Sequence, residues 1–287
     1  MNNFTLTRND AIAFLVLGYS APLTLRQTLR HFSATKCNFF LHLDSKIDSD
    51  RYLALSESQD RVTMVDERFN IYWGGYSMIK ATLALIKTAL QKSEASTFVL
   101  ISDDSFPLHD ENTIISKVIE CPNRIFMHPV AEKMPYLRYE NFYFPDANFS
   151  GTRHLPAEER VVTIDNVDAL ERLKKLILRG KYFPIKLHTG SQWWSLSREV
   201  LDYCMGRLES DSWLEESFEF SMIPDEMVFQ TLAAEILKNP ANGYRYTEGM
   251  MFADFSKLHK PDKYFSISDF PSKINSDKLF IRKFILT

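Results

Sequence analysis

Cysteine is scarce: Cys37, Cys121 and Cys204 are scattered through 287 positions, with no CxxC among them. Three thiols cannot all pair, and these do not have the spacing of a zinc site. That excludes a disulfide-stapled or zinc-organised domain and favours reduced core residues of a cytosolic protein. Excess positive charge is also missing. With 34 Lys and Arg against 37 Asp and Glu, the net charge is −3, unlike the basic footprint of a nucleic-acid binder. The longest apolar run near the start, Ala11 to Leu17, is far too short to cross a bilayer. The polar opening MNNFTLTRND has no signal-peptide apolar region. HExxH and GxSxG are absent, so neither a zinc protease nor a nucleophile-elbow hydrolase is supported.

What is present is a β-α-β rhythm. Ala11–Gly18 (AIAFLVLG) is a continuous apolar run that predicts a buried parallel strand. Leu23, Leu25, Leu29 and Phe32 follow at near-helical spacing. Asn38–Leu43, Arg61–Val65 and Thr97–Ser102 read as further strands, and Ser77–Gln91 as a strong amphipathic helix with Ser77 as N-cap. Such alternation implies a mostly parallel sheet in an α/β fold. The second half is less regular. Helices are expected at Asp165–Arg179 (stopped by Gly180), Arg198–Leu208 and Asp225–Leu237, with a strand at Gln192–Leu196. No linker stands out, so one composite domain over residues 1–287 is expected. Its more regular half runs to about 125 and the less regular half follows.

Ligands of open α/β sheets bind beyond the carboxyl ends of the strands, where Asp44, Asp103 and Asp104 fall. Asp44 suits a base or ribose contact, or simply ends a strand. Asp103 and Asp104 could hold a divalent metal on a diphosphate, or bind sugar and cap a turn. Gly75 and Ser77, in YWGGYS, combine close backbone approach with a helix start open to an anion; a tight capped turn explains them equally well. Gly190, Ser191, Trp193 and Trp194 could shape a sugar pocket, although adjacent strand residues face opposite ways and one tryptophan then belongs to the core. Asp225 and Glu226, after Pro224, suit a helix start, which also exposes Glu226 as a base. Arg245, Arg282 and Lys283 are cations of the irregular tail, where solvated surface charge is the ordinary fate.

Taken in order, IAFLVLG, HLDSK, WGGYS, LISDDSFPL, EKMPYLRY, GSQWWSLSRE, IPDEMVFQT and LFIRKF resemble the core-2/I-branching β-1,6-N-acetylglucosaminyltransferase family, with the peptide O-xylosyltransferases, across about residues 11–284. The resemblance implies a GT-A fold and an inverting transfer of GlcNAc, xylose or another sugar from a UDP-sugar to a glycan hydroxyl. It makes Glu226 the catalytic base, puts Asp44 on the uracil with Leu17 near the base, and puts Lys283 and, most plausibly, Arg245 on the diphosphate. Arg138 is a candidate substrate contact. No metal or other cofactor is then required.

The resemblance further suggests a bacterial cytoplasmic relative building a surface polysaccharide. Its acceptor would be a glycan or a lipid-linked glycan, the latter allowing peripheral association with the inner membrane. Two rivals stay open: a metal-dependent transferase of the same fold using Mg²⁺ or Mn²⁺ on Asp103 and Asp104, and a non-catalytic nucleotide- or glycan-binding protein.

Overall fold

The computed structural model describes residues 11–32, 37–57, 60–130, 137–146, 167–180, 186–253, 264–266 and 277–286. The first elements are β1 (Ile12–Gly18), α1 (Pro22–His31), β2 (Asn38–Leu43), α2 (Asp50–Glu57), β3 (Val62–Met64), α3 (Ser77–Lys92) and β4 (Thr97–Ser102). β5 (Phe106–Pro107), α4 (Glu111–Glu120), β6 (Asn123–Arg124), β7 (Met127–Pro129), α5 (Leu137–Glu140) and α6 (Val167–Arg179) follow. The rest are β8 (His188–Gly190), β9 (Ser195–Ser197), α7 (Arg198–Ser210), α8 (Ser212–Glu219), α9 (Val228–Leu237), β10 (Tyr246–Thr247), β11 (Met251–Ala253) and β12 (Phe280–Arg282).

Among the described residues, seven strands form the main sheet in the order β10-β6-β9-β4-β1-β2-β3. β1 pairs in parallel with β2 and β4, β2 with β3, and β10 with β6, whereas β9 is antiparallel to both β4 and β6. Six strands therefore share one direction and β9 alone is reversed. This is a mixed α/β fold with a large, mostly parallel central sheet, consistent with the GT-A class. All seven residues of β1 and all six of β4 are buried, as expected for strands covered on both faces. Phe14 anchors the core: its ring stacks on Phe39 at 4.7 Å and meets Phe280 edge-on at 6.1 Å. That second contact draws β12, from the end of the chain, onto the centre of the sheet.

Three local expectations need correction. Ser77 is the first residue of α3, not its cap; Tyr76 is the cap and its side chain makes no capping bond. The strand expected at Gln192–Leu196 lies instead at β9, with the two tryptophans just before it. The helix expected from Asp225 starts at Val228. Pro224–Glu226 forms a separate 3-10 turn, because Ile223 adopts a left-handed conformation (φ 56°, ψ 53°). For a β-branched residue that costs about 1–3 kcal/mol and must be held by its surroundings.

Candidate active site

The carboxyl ends of β2 and β4, on either side of β1, carry the expected acids. Leu17 lies between them, paired with His42 on one side and Ser102 on the other, and its carbonyl accepts from the Asp103 N–H at 3.0 Å. Asp44 ends β2, largely buried. Its carboxylate meets Lys46 Nζ at 2.8 Å and accepts the Lys46 N–H at 3.0 Å. Lys46 also lies over the Tyr72 ring at 4.7 Å. Beneath this loop, His42 Nε2 accepts the Phe69 N–H at 3.1 Å, which requires a neutral imidazole. Burial pushes His42 down to about 4, in keeping with that bond.

Asp103 and Asp104 are both 0% exposed, and Asp103 Oδ1 has no hydrogen-bond partner among the described residues. Asp103 Oδ2 accepts the N–H groups of Tyr19, Ser20 and Ala21 at 2.8–2.9 Å and the Tyr52 hydroxyl, holding the entry to α1. Burial raises its pKa despite those bonds. Asp104 accepts the hydroxyls of Tyr19 and Ser102 and lies 3.3 Å from Arg282 Nε. Arg282 stacks over the Trp193 ring at 4.3 Å, an arrangement that suits a planar guanidinium. It is delivered there because β12 pairs antiparallel with β5, just past the two acids, and because the Phe284 N–H donates to the Asp104 carbonyl at 2.9 Å. Lys283 follows, its carbonyl accepting the Phe265 N–H.

Glu226 lies on the 3-10 turn with its side chain 34% exposed, 2.9 Å from Arg138 Nη1. The turn is tied down on both sides: the Ile223 N–H donates to Gly74 O and the Met222 N–H to Arg138 O, at 2.9 and 2.7 Å. Asp225, beside it, senses the charges of Glu226, Arg138 and Arg282. The Glu226–Arg138 pair and Arg282 thus both lie within electrostatic reach of Asp225. Burial, followed by the neighbouring Glu226, pushes Asp225 up to about 7.

Other expected residues lie elsewhere. Arg245 precedes β10, which runs in the direction of β4, so it sits at the amino ends of the strands, opposite Asp103. It donates there to the Glu120 carbonyl at 3.3 Å, whereas Arg282 lies beside Asp104. Trp194 is fully buried against Phe229 at 5.1 Å and walls no pocket. Gly190 answers to backbone packing, since any Cβ there would overlap the Phe126 carbonyl. The Ser191 carbonyl accepts from Gln230 Nε2. Gly75 and Ser77 adjoin the site, but the start of α3 is held by Asp146: Ser77 N–H donates to Asp146 Oδ2 at 2.8 Å, and Ser77 Oγ donates to Oδ1.

Sequence reading missed Tyr19, Asp146 and Gln192. Tyr19 follows β1 directly, a position that could have marked it. Asp146 gives no local signal, being 69 residues from Ser77. Gln192 Nε2 is buried with no hydrogen-bond partner among the described residues.

A comparison with known families matches residues 12–271 to the Core-2/I-Branching enzyme model. No curated protein matches the chain. Among solved structures, the chain is similar to HddC from Yersinia pseudotuberculosis at 15% identity, over 45% of this chain and 63% of that one, with a TM-score of 0.28. The same protein complexed with GMP-PN gives 17% identity over 46% and 63%, also at 0.28. In both cases less than two thirds of the solved chain is spanned, and so low a TM-score carries no argument. The family match extends over nearly the whole chain and takes in both the strand-end acids and the Glu226 turn. The chain belongs to the Core-2/I-Branching enzyme family, whose members are glycosyltransferases acting on glycans.

Proposed function

We propose that this chain is an inverting transferase that moves GlcNAc, xylose or another sugar from a UDP-sugar to a hydroxyl of a glycan acceptor, with Glu226 as general base. The observation that carries the reading is the placement of Glu226. It is a solvent-reachable carboxylate on a turn held by Gly74 and Arg138, next to Asp225, which lies within electrostatic reach of Arg282.

The acceptor hydroxyl gives its proton to Glu226 as its oxygen attacks the anomeric carbon. The bond from that carbon to the UDP oxygen breaks on the opposite face, and the electron pair leaves with the diphosphate. Arg138 holds the Glu226 carboxylate in place. Arg282, set on Trp193 by Asp104 and Tyr19, and Lys283 beside it offer fixed positive charge to the departing diphosphate. No divalent ion is needed in this reading. Asp104 is spent on the Tyr19 and Ser102 hydroxyls and Arg282, and Asp103 Oδ2 on backbone N–H groups and the Tyr52 hydroxyl, while Asp103 Oδ1 is left without a partner among the described residues.

The acceptor we assign is a glycan or lipid-linked glycan of a bacterial surface polysaccharide, handled in the cytoplasm or at the inner face of the membrane. The absence of disulfides at Cys37, Cys121 and Cys204 supports a reducing compartment. Among the described residues no helix is long and apolar enough to cross a membrane.

Glu226→Gln tests the reading, since it keeps the shape and removes the base. UDP-sugar binding should persist while transfer falls by about 10²–10⁴-fold; transfer at the wild-type rate would remove Glu226 from the mechanism.

A further inference from the structure

The two carboxyl groups of the Pro224–Glu226 turn are not equivalent. Glu226 has Arg138 at 2.9 Å and solvent beside it. Asp225 Oδ1 is buried with no hydrogen-bond partner among the described residues. Nor does Asp225 do the work its position in the sequence suggested. α9 begins at Val228, its cap is Met227, and no side chain bonds the free N–H groups there. A buried carboxyl oxygen left unpaired is costly, and folded proteins leave few of them unless something outside the chain supplies the partner.

The surroundings indicate what that partner is. Asp225 is adjacent to the proposed base and within electrostatic reach of Arg138 and Arg282. A phosphate is served by those cations and repelled by a carboxyl. A sugar hydroxyl can donate to an ionised Asp225 or accept from a protonated one. Resting on the transferase reading above, we propose that Asp225 is a sugar ligand, its Oδ1 taking a hydroxyl of the sugar brought against Glu226. That hydroxyl belongs either to the transferred sugar of the donor or to the acceptor. Its bond completes the coordination of Asp225 only when substrate is present. The residue then helps to choose the sugar without touching the nucleotide.

Calorimetric titration with UDP, UDP-GlcNAc and UDP-xylose, and transfer to a panel of methyl glycosides, would be compared for wild type, Asp225→Asn and Asp225→Ala. Asn preserves the shape, so it guards against a variant that merely folds poorly. UDP affinity should stay within about twofold in both variants. If the donor sugar is the partner, the affinity of UDP-sugar relative to UDP falls roughly tenfold or more in Asp225→Ala. If the acceptor is the partner, acceptor KM rises by that factor while donor affinity holds. Unchanged sugar preference and unchanged acceptor KM in both variants, with wild type active, would overturn the assignment alone. A wild type that neither binds UDP-sugars nor transfers would overturn the transferase reading and this assignment with it.

Discussion

The Asp146 carboxylate occupies the space that a side chain at Gly75 would fill: a Cβ built on Gly75 overlaps both carboxylate oxygens and the carbon between them. The same carboxylate takes the first N–H of α3 through Ser77. Asp146 ends the described segment 137–146, which also carries Arg138, the partner of Glu226. Gly75→Ala should therefore expel Asp146 and loosen that segment. We expect a loss of about 1–3 kcal/mol, the usual cost of overpacking, and a lower kcat with little change in UDP affinity. Thermal melts and steady-state rates on Gly75→Ala would check this. Asp146→Asn, which keeps the shape and two hydrogen-bonding atoms, should be the milder change.

Arg282 depends on a buried anion. Asp104 is 0% exposed, while the Arg282 side chain keeps 18% of its surface. Asp104→Ala leaves that guanidinium without its carboxylate, which should cost about 3–5 kcal/mol. Arg282→Lys retains the charge but loses the flat stack on Trp193 and the forked donors. It should weaken UDP-sugar binding by roughly tenfold, measurable by calorimetry.

Chelation separates fixed cations from bound ones. With fixed cations serving the diphosphate, UDP-sugar affinity should be the same with and without EDTA. Loss of affinity under EDTA would return the diphosphate role to a metal ion.

Two buried groups should give opposite pH slopes to stability. His42 falls from 6.5 to about 4 in the fold, so the unfolded chain binds the extra proton. Its contribution is complete above pH 6.5 and drains away as pH falls to about 4. Asp225 rises from 3.8 to about 7, so the native protein binds the extra proton. Its contribution is complete below pH 3.8 and is lost as pH rises through 7. Each can alter the slope by at most about 1.4 kcal/mol per pH unit. Relative to wild type between pH 4 and 6.5, His42→Gln should make stability rise less with pH, and Asp225→Asn should make it rise more. Urea unfolding at several pH values reads both slopes.

The long buried strands were legible because their composition admits one reading: β2 and β4 match the sequence expectation residue for residue, and β1 differs by one residue. Strands of two or three residues, such as β5, β6 and β10, carry too little pattern to see. α4 had no counterpart in the sequence reading, although Asp110 caps it through the Thr113 N–H. The Asp225 helix was misplaced because nothing local announces the left-handed Ile223, which is held by Gly74 far away in the chain. In the site, the positions of Asp44, Asp103 and Asp104 followed from the β-α-β rhythm. Their partners did not, since Asp104 and Arg282 are separated by 178 residues. That Arg245 and Arg282 lie at opposite ends of the sheet follows from the direction of β10, which only the pairing of the strands provides.

The reversed strand β9 has a consequence for how the chain assembles. It lies between β4 and β6, so a segment near residue 196 must insert between strands near 100 and 124 before the sheet is continuous. A fragment ending near residue 125 would leave the flank of β4 without hydrogen-bond partners and separate β6 from the sheet, exposing an edge open to non-native pairing. Closure depends on contacts distant in sequence, which folds of this kind make slowly. The two stretches of the chain therefore gain their stability together.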